Sequence, residues 1–521
     1  MRKNGQHELF GAIHLGSEQA GVQVVEYKSL TDMRVVDRAF RSVSLGEETF
    51  KTGKISFQTL NEICELLRGY RRIFNEYGVK DCRLAATTAI REARNQRYII
   101  DQIRVKTGFQ VEVVDMPKEI YYKYCALFKV MQEQDLIKPD EVILFVDISS
   151  GGLGFTLYKD NQILYQQNIH IGTLRIKESF DKNQRESIHF YEALHEFILS
   201  TIEPVREKID RHRVKRVVLS GNETDLVLKM LNRSAEQTVT IIEPAEFAAL
   251  YADLQSADIR HLTEKYGFPE NRAEMVLPSI ILYQQILNLT EEEQIVVLDT
   301  SFIDGFAIHH IGEKTQNPFM NALEEQIISL AHAIGRKYDY DVRHAMAVCD
   351  GSLLLFDHLT KAHGLGKRDR FLLKTACILH DIGKYINLRS HYFYSYRLIL
   401  SSDIFGFSED EKHIMANVAY YHSKVTPSES DPNFQLLSEE NKALVAKLVA
   451  IIRLADALDR SHHQKISKPN IVCRNDEMII SHNSPADTTL ENWTFTDKTM
   501  YFEEVYGMRA RLERDWRVNS V

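Results

Sequence analysis

The chain has 521 residues, 44% apolar and 26% charged, an ordinary globular composition that excludes wholesale disorder and fibrous repeats. At roughly 150 residues per domain it has room for three or four domains. With 64 Lys and Arg against 73 Asp and Glu the formal charge is −9, so its overall field is not built to coat duplex nucleic acid or an anionic membrane. The six cysteines, at 64, 82, 125, 349, 377 and 473, show no CxxC spacing, which is the usage of a reducing compartment. The charged start Met1-Arg2-Lys3 is followed by no signal-type apolar run, and no stretch of about 18 uncharged apolar residues occurs. The expectation is a soluble, cytoplasmic protein.

Up to about residue 315, short β-branched runs alternate with amphipathic helical stretches, at 22–27, 111–115, 142–147, 214–219 and 294–299. That alternation predicts α/β layers. Two segments, 10–17 and 144–152, run from an apolar strand into a small-residue turn, and each is followed by a second strand, 21–27 and 154–158. Backbone N–H groups at such a hairpin can converge on a phosphate, and two facing hairpins would make a two-sided cleft. Ordinary hairpin turns account for the same pattern. The basic run Arg206, Lys208, Arg211, Arg213, Lys215 and Arg216 reads as a solvated helix end, and Tyr121, Tyr122 and Tyr124 as a packed helix face. Gly312-Glu313-Lys314-Thr315-Gln316-Asn317-Pro318 predicts a polar linker, then Asn317 as N-cap with Pro318 at the first helical position. From there to about 465 the pattern is helical, with 319–338 and Leu353-Leu354-Leu355-Phe356 as core. Residues 471–521 return to strand-like alternation, at Met478-Ile479-Ile480 and at 495–502, as a small appendage. No GxxxxGK[ST], GxSxG or GxGxxG motif is present, against P-loop, α/β-hydrolase and dinucleotide chemistry.

Ala86-Thr87-Thr88-Ala89-Ile90-Arg91-Glu92-Ala93-Arg94-Asn95 closely resembles the ATSALREARN segment of the exopolyphosphatase/guanosine pentaphosphate phosphohydrolase (Ppx/GppA) family. The two hairpins fall where that family has its phosphate-binding loops. Val111-Glu112-Val113-Val114 followed by Glu119 is similar to the strand that leads to its catalytic glutamate. Gly172-Thr173-Leu174-Arg175, Leu219-Ser220-Gly221-Asn222 and Asp304-Gly305 resemble further family steps. The resemblance implies an actin-like duplicated ribonuclease-H fold, two α/β domains at 1–135 and 136–314. A helical HD-type domain at 315–467 and a small α/β domain at 468–521 would follow. It implies a homodimer that releases terminal phosphate from inorganic polyphosphate or guanosine pentaphosphate (pppGpp) in the cleft between the first two domains. Carried onto this sequence, Glu119 is the catalytic base and Asp147 the Mg²⁺ ligand. Arg91, Ser17, Ser149, Ser150, Gly151, Gly152 and Gly221 are the phosphate binders.

The departures from that pattern are specific. His14 stands where the first loop normally carries Asp. The second loop, DIGGGSTE in the family, reads Asp147-Ile148-Ser149-Ser150-Gly151-Gly152-Leu153-Gly154 and loses its later carboxylate. A carboxylate magnesium site is therefore one or two ligands short. Cleaving a terminal phosphoanhydride needs charge neutralised on the phosphoryl oxygens, a water in line and a base for its proton. Glu119 is the one matched residue able to act as that base.

In the helical part stand His344, His380-Asp381-Ile382-Gly383-Lys384, His391, His422 and Asp456. This order is similar to the H…HD…D pattern of HD metal-dependent phosphohydrolases, with the extra histidines of the two-metal versions. Such an imidazole and carboxylate set suits Mn²⁺, Fe or Zn²⁺. Two such ions can clamp the attacking and leaving oxygens of a phosphate ester. A relic scaffold is the competing account. Three functions follow: phosphohydrolysis in the α/β cleft; a cleft that senses a phosphate ligand while a binuclear HD site hydrolyses a nucleotide phosphate; or a regulatory protein without turnover.

Overall fold

Alternating β-branched and aromatic residues build three sheets in the computed structural model, which describes residues 7–515 apart from 186, 188, 222, 234–236, 256–258, 292 and 475. The chain divides into two compact units, Met1–Ile327 and Ile328–Val521.

The first unit holds two sheets of related design. One has the order β3-β2-β1-β4-β5, from β1 (Glu8–Leu15), β2 (Gln19–Tyr27), β3 (Met33–Ser42), β4 (Asp81–Ala86) and β5 (Val111–Val113). The other has the order β10-β11-β9-β6-β7-β8, from β6 (Ile143–Ile148), β7 (Leu153–Lys159), β8 (Gln162–Ile169), β9 (Arg216–Gly221), β10 (Val239–Ile242) and β11 (Gln294–Leu298). In each, three strands meander antiparallel and the first of them pairs parallel with a later strand, β1 with β4 and β6 with β9. The duplication reaches single residues. His14 pairs with Gly21 and Ala85 in its sheet, as Asp147 pairs with Gly154 and Ser220 in the other.

Each sheet buries its own apolar cluster, around Leu67 and Phe74 in the first and around Leu157 and Ile281 in the second. Fully burying side chains of this size contributes about 1.5–3 kcal/mol each. Helices Met116–Glu133 and Phe302–Thr315 pack on one another, and Gly305 sets their approach: a Cβ there would lie 1.6 Å from the Tyr122 carbonyl oxygen. The expected linker is shorter than its composition suggests. Residues 312–315 form the last turn of the Phe302–Thr315 helix, which ends at Gln316 in the left-handed region (φ +51°). Asn317 Oδ1 then accepts from Phe319 N at 3.0 Å, and Pro318 opens the next helix, Pro318–Lys337.

In the second unit, helices Val342–His358, Lys367–Leu379, His391–Ser401, Glu409–Tyr421 and Glu439–Leu458 form the body. A small sheet, β12 (Asn470–Arg474), β13 (Glu477–His482) and β14 (Arg509–Arg514), follows it. Residues 495–502, expected as strand, lie instead in helix Thr489–Tyr506, which packs on Glu439–Leu458. Its buried residues, Glu491, Phe495, Lys498 and Phe502, recur at helical spacing. Two of the four are charged, so a count of apolar residues alone misses the period. Among the described residues no helix is long and apolar enough to cross a membrane.

Candidate active cleft and candidate metal centre

The turns after β1 and β6 come together in the first unit around a small polar cavity. His14, Ser17, Thr88, Glu119, Lys123, Asp147, Ser149, Ser150, Gly151 and Gly221 are among its lining residues. Gly152 lies on an adjoining recess beside Met116 and Glu119. Gly221 adopts φ +113°, and a Cβ there would strike the Ile148 carbonyl oxygen at 1.8 Å, so the loop after β9 closes on β6 only as glycine. Asn222 lies outside the described residues.

Glu119 sits in the first turn of its helix, buried at the cavity wall. Arg91 Nη1 donates to Glu119 Oε2 at 3.0 Å and to the Val114 carbonyl at 2.5 Å, while Nη2 donates to Thr88 Oγ1 at 3.0 Å. Arg91 thus stands behind Glu119 and holds it. One turn along, Lys123 Nζ donates to Asp147 Oδ2 at 2.8 Å and lies 3.6 Å from Glu119 Oε1. Ser220 Oγ donates to Asp147 Oδ1 at 3.2 Å. Burial pushes the Glu119 carboxyl up, but Lys123 and Arg91 outweigh it and hold the group below its ordinary value. Burial lowers the Lys123 ammonium, and Asp147 and Glu119 reverse that, so it stays charged. His14 places Nε2 3.1 Å from Thr87 Oγ1 and its ring 4.3 Å from that of Phe302. Burial lowers its pKa to about 4, with Glu119 opposing and Lys123 assisting, so the imidazole is neutral near pH 7.

The second loop is partly closed on itself. Ser149 N donates to the Gly152 carbonyl at 2.9 Å and Gly152 N to Ser149 Oγ at 3.2 Å. Ser150 Oγ donates to Glu18 of the first loop, tying the two loops across the cleft, and Arg175 Nη2 grips Glu92 at 2.9 and 2.8 Å nearby. A magnesium ion demands oxygen ligands in near-octahedral array. Here the Asp147 oxygens face Lys123 and Ser220, and those of Glu119 face Arg91 and Lys123. Among the described residues no group of three metal-ligating side chains lies in this cleft. The residues present do not fit a resident Mg²⁺.

The second unit is different. Five helix ends bring His344, His380, Asp381, His391, His422 and Asp456 together. Asp381 Oδ1 lies 3.4 Å from Nε2 of both His391 and His422. Its Oδ2 lies 3.5 Å from His380 Nε2 and 3.6 Å from His344 Nε2, and Asp456 Oδ1 is 3.3 Å from His344 Nε2. The opposite ring nitrogens are anchored: Nδ1 of His380, His422 and His391 donates to the carbonyls of Cys377 (2.6 Å), Ala419 (2.6 Å) and Leu388 (3.1 Å). His344 Nδ1 meets Asp459 Oδ2 at 2.9 Å. A carbonyl only accepts, so in the neutral rings each such bond fixes the proton on Nδ1 and leaves Nε2 as a lone-pair donor.

His344 Nε2, His380 Nε2 and Asp381 Oδ1 are buried without a hydrogen-bond partner. Each such orphan costs roughly 1–3 kcal/mol, which a coordinated divalent ion would remove. The sets His344/His380/Asp456 and His380/Asp381/His422 each bring their ligand atoms within 4.8 Å of one another. This donor set fits one or two divalent ions. Burial lowers His344, but Asp456 and Asp459 together raise it to about 9, so binding an ion there would release a proton. Sequence reasoning missed Asp459, Lys123 and Lys498. The last donates from the Thr489–Tyr506 helix to Asp456 Oδ2 at 2.5 Å and to the His422 carbonyl at 3.3 Å. Lys123 carried one usable signal, its four-residue spacing from Glu119 on one helix face.

Residues 23–310 match the model of the Ppx/GppA phosphatase family, and residues 329–503 that of Ppx/GppA phosphatase, domain III. Among similar proteins is a guanosine-5'-triphosphate,3'-diphosphate pyrophosphatase of Photobacterium profundum, 21% identical over 89% of this chain and 90% of its own length. The protein of the same name from Vibrio vulnificus is 22% identical over 90% of both chains. The crystal structure of an exopolyphosphatase from Cytophaga hutchinsonii superposes with TM-score 0.50 at 21% identity, covering 59% of this chain and 98% of that one. At that identity the likeness shows the fold, an actin-like pair of α/β halves.

Proposed function

The chain belongs to the Ppx/GppA phosphatase family, and from that premise we propose that it releases the terminal phosphate of pppGpp or of inorganic polyphosphate in the cleft of its α/β unit. Family membership makes it a phosphoanhydride hydrolase, which sets aside the reading without turnover. The observation that carries the cleft assignment is Glu119, a buried carboxylate kept ionised at the cavity wall between Arg91 and Lys123. In the reaction a water oxygen bonds to the terminal phosphorus while the bridging P–O bond breaks and its electrons leave with the shortened phosphate chain. Glu119 takes the proton from the water. Lys123 and the donors of the 149–152 loop counter charge on the phosphoryl oxygens. The relatives named for guanosine-5'-triphosphate,3'-diphosphate support the nucleotide; the exopolyphosphatase neighbour supports the fold alone. The test is phosphate release from pppGpp and from long-chain polyphosphate by the unaltered protein and by Glu119→Gln. Loss of about 10²–10⁴ in kcat with folding retained is the expected result. Full activity in Glu119→Gln overturns the assignment.

Enzymes of this family depend on divalent metal, and among the described residues of this chain those that fit an ion lie in the helical unit. The convergent, unpartnered Nε2 atoms favour a second reading, a metal centre there that acts on a nucleotide phosphate. Its ligands would be His344, His380, Asp381, His391, His422 and Asp456, and a bound ion would supply a Lewis acid and an acidified water. Lys384, 2.5 Å from Asp381 Oδ2, would steady the phosphate. Phosphate release that survives Glu119→Gln and disappears in Asp381→Ala is the result that supports this reading.

A further inference from the structure

We infer that the Lys123 ammonium takes the place of a divalent ion in the α/β cleft, so that the cleft binds its phosphate ligand without metal. The inference rests on the cleft reading above and concerns how that same site holds its anion. Three observations carry it. Lys123 Nζ lies between the two carboxylates that line the cavity, 2.8 Å from Asp147 Oδ2 and 3.6 Å from Glu119 Oε1. Its side chain is 14% exposed and those carboxylates about as little, so the contact is sheltered from water and salt. The position equivalent to Asp147 in the other half is held by His14, a neutral imidazole at neutral pH and a poor ligand for a hard cation.

The charge balance agrees. Asp147 and Glu119 bring two negative charges, and Lys123 and Arg91 bring two positive ones. A divalent ion would have to displace Lys123 from Asp147 and would leave the pocket with excess positive charge. The ammonium has three donors. Asp147 takes one and Glu119 faces a second, which leaves one for a ligand oxygen in the cavity that Lys123 lines. A lysine in this position binds phosphate as a point charge.

The test uses the full-length chain in a His380→Ala, Asp381→Asn background, which breaks both ligand sets of the helical unit and keeps ions there out of the reading. Inorganic tripolyphosphate is titrated by calorimetry in excess chelator and again in Mg²⁺. The expected result is a Kd that differs less than about threefold between the two conditions, with Mg²⁺ dependence of about tenfold or more appearing in Lys123→Ser, where Asp147 loses its cationic partner and Glu119 keeps only Arg91. Lys123→Arg keeps the charge and is expected to keep metal-free binding, so it serves should Lys123→Ser fail to fold. Binding by the Lys123 protein only in Mg²⁺ overturns the inference and leaves the cleft reading standing. Absence of binding in both conditions overturns the two together.

Discussion

Asp459 Oδ2 meets His344 Nδ1 at 2.9 Å, on the far side of the imidazole from Asp381 and Asp456. A carboxylate in that position orients the ring and raises its basicity toward an ion on the other nitrogen. Gln464 holds Asp459 in turn, through N at 2.6 Å and Nε2 at 3.0 Å. Asp459→Ala is therefore expected to weaken Mn²⁺ or Zn²⁺ binding by about 10–100-fold while the fold persists. Titration of the metal-stripped protein, read by calorimetry, checks this.

Metal removal has a stability counterpart. Mn²⁺ at about a hundred times its Kd is expected to raise the unfolding free energy of the helical unit by about 2.7 kcal/mol. His380→Ala abolishes that increment. Denaturant melts with and without chelator measure it, and equal metal-induced increments in both proteins would refute the ligand set.

Arg91 acts through Glu119. Arg91→Met leaves burial opposed chiefly by Lys123, so the Glu119 pKa rises. The acid limb of the kcat/KM profile should move to higher pH, with activity near neutrality reduced. A pH–rate series distinguishes this from a purely structural loss, which lowers the whole profile without moving the limb.

His14 gives the fold an acid sensitivity of its own. Its folded pKa, about 4, lies below the ordinary 6.5, so the unfolded chain binds the extra proton first. This contribution is whole above pH 6.5 and is lost as pH falls toward 4. It amounts to at most about 3 kcal/mol, from the shift of 6.5 to about 4. His14→Gln should flatten stability over that window, and chemical denaturation at several pH values reads it directly.

Gly305→Ala should destabilise the first unit by about 1–3 kcal/mol or more, because the added methyl group meets backbone and cannot swing aside. The helix it displaces carries Glu119 and Lys123, so phosphate release should fall with stability. Activity measured well below the melting temperature separates the two losses.

Much of this was legible in the sequence because the signals are local. The β-branched runs that became β2, β5, β6, β9 and β11 declared themselves by composition, and the segment around Arg91 by its order of residues. The histidines and aspartates of the helical unit could be named because few other residue types ligate metals. Residues that act through others could not. Asp459 and Lys498 support the centre from beyond its pattern, and a buried lysine in a helix looks like any surface lysine until the fold encloses it. Lys123 was hidden between tyrosines that read as core.

Under the cleft assignment proposed above, the bond between Glu18 and Ser150 would turn ligand entry into a competition. A carboxylate already holds a donor of the second loop, so an incoming polyanion would have to displace it, and a ligand dense in charge would gain most by the exchange. Discrimination between one phosphate and several would then be set by what the protein gives up on binding as much as by what it offers.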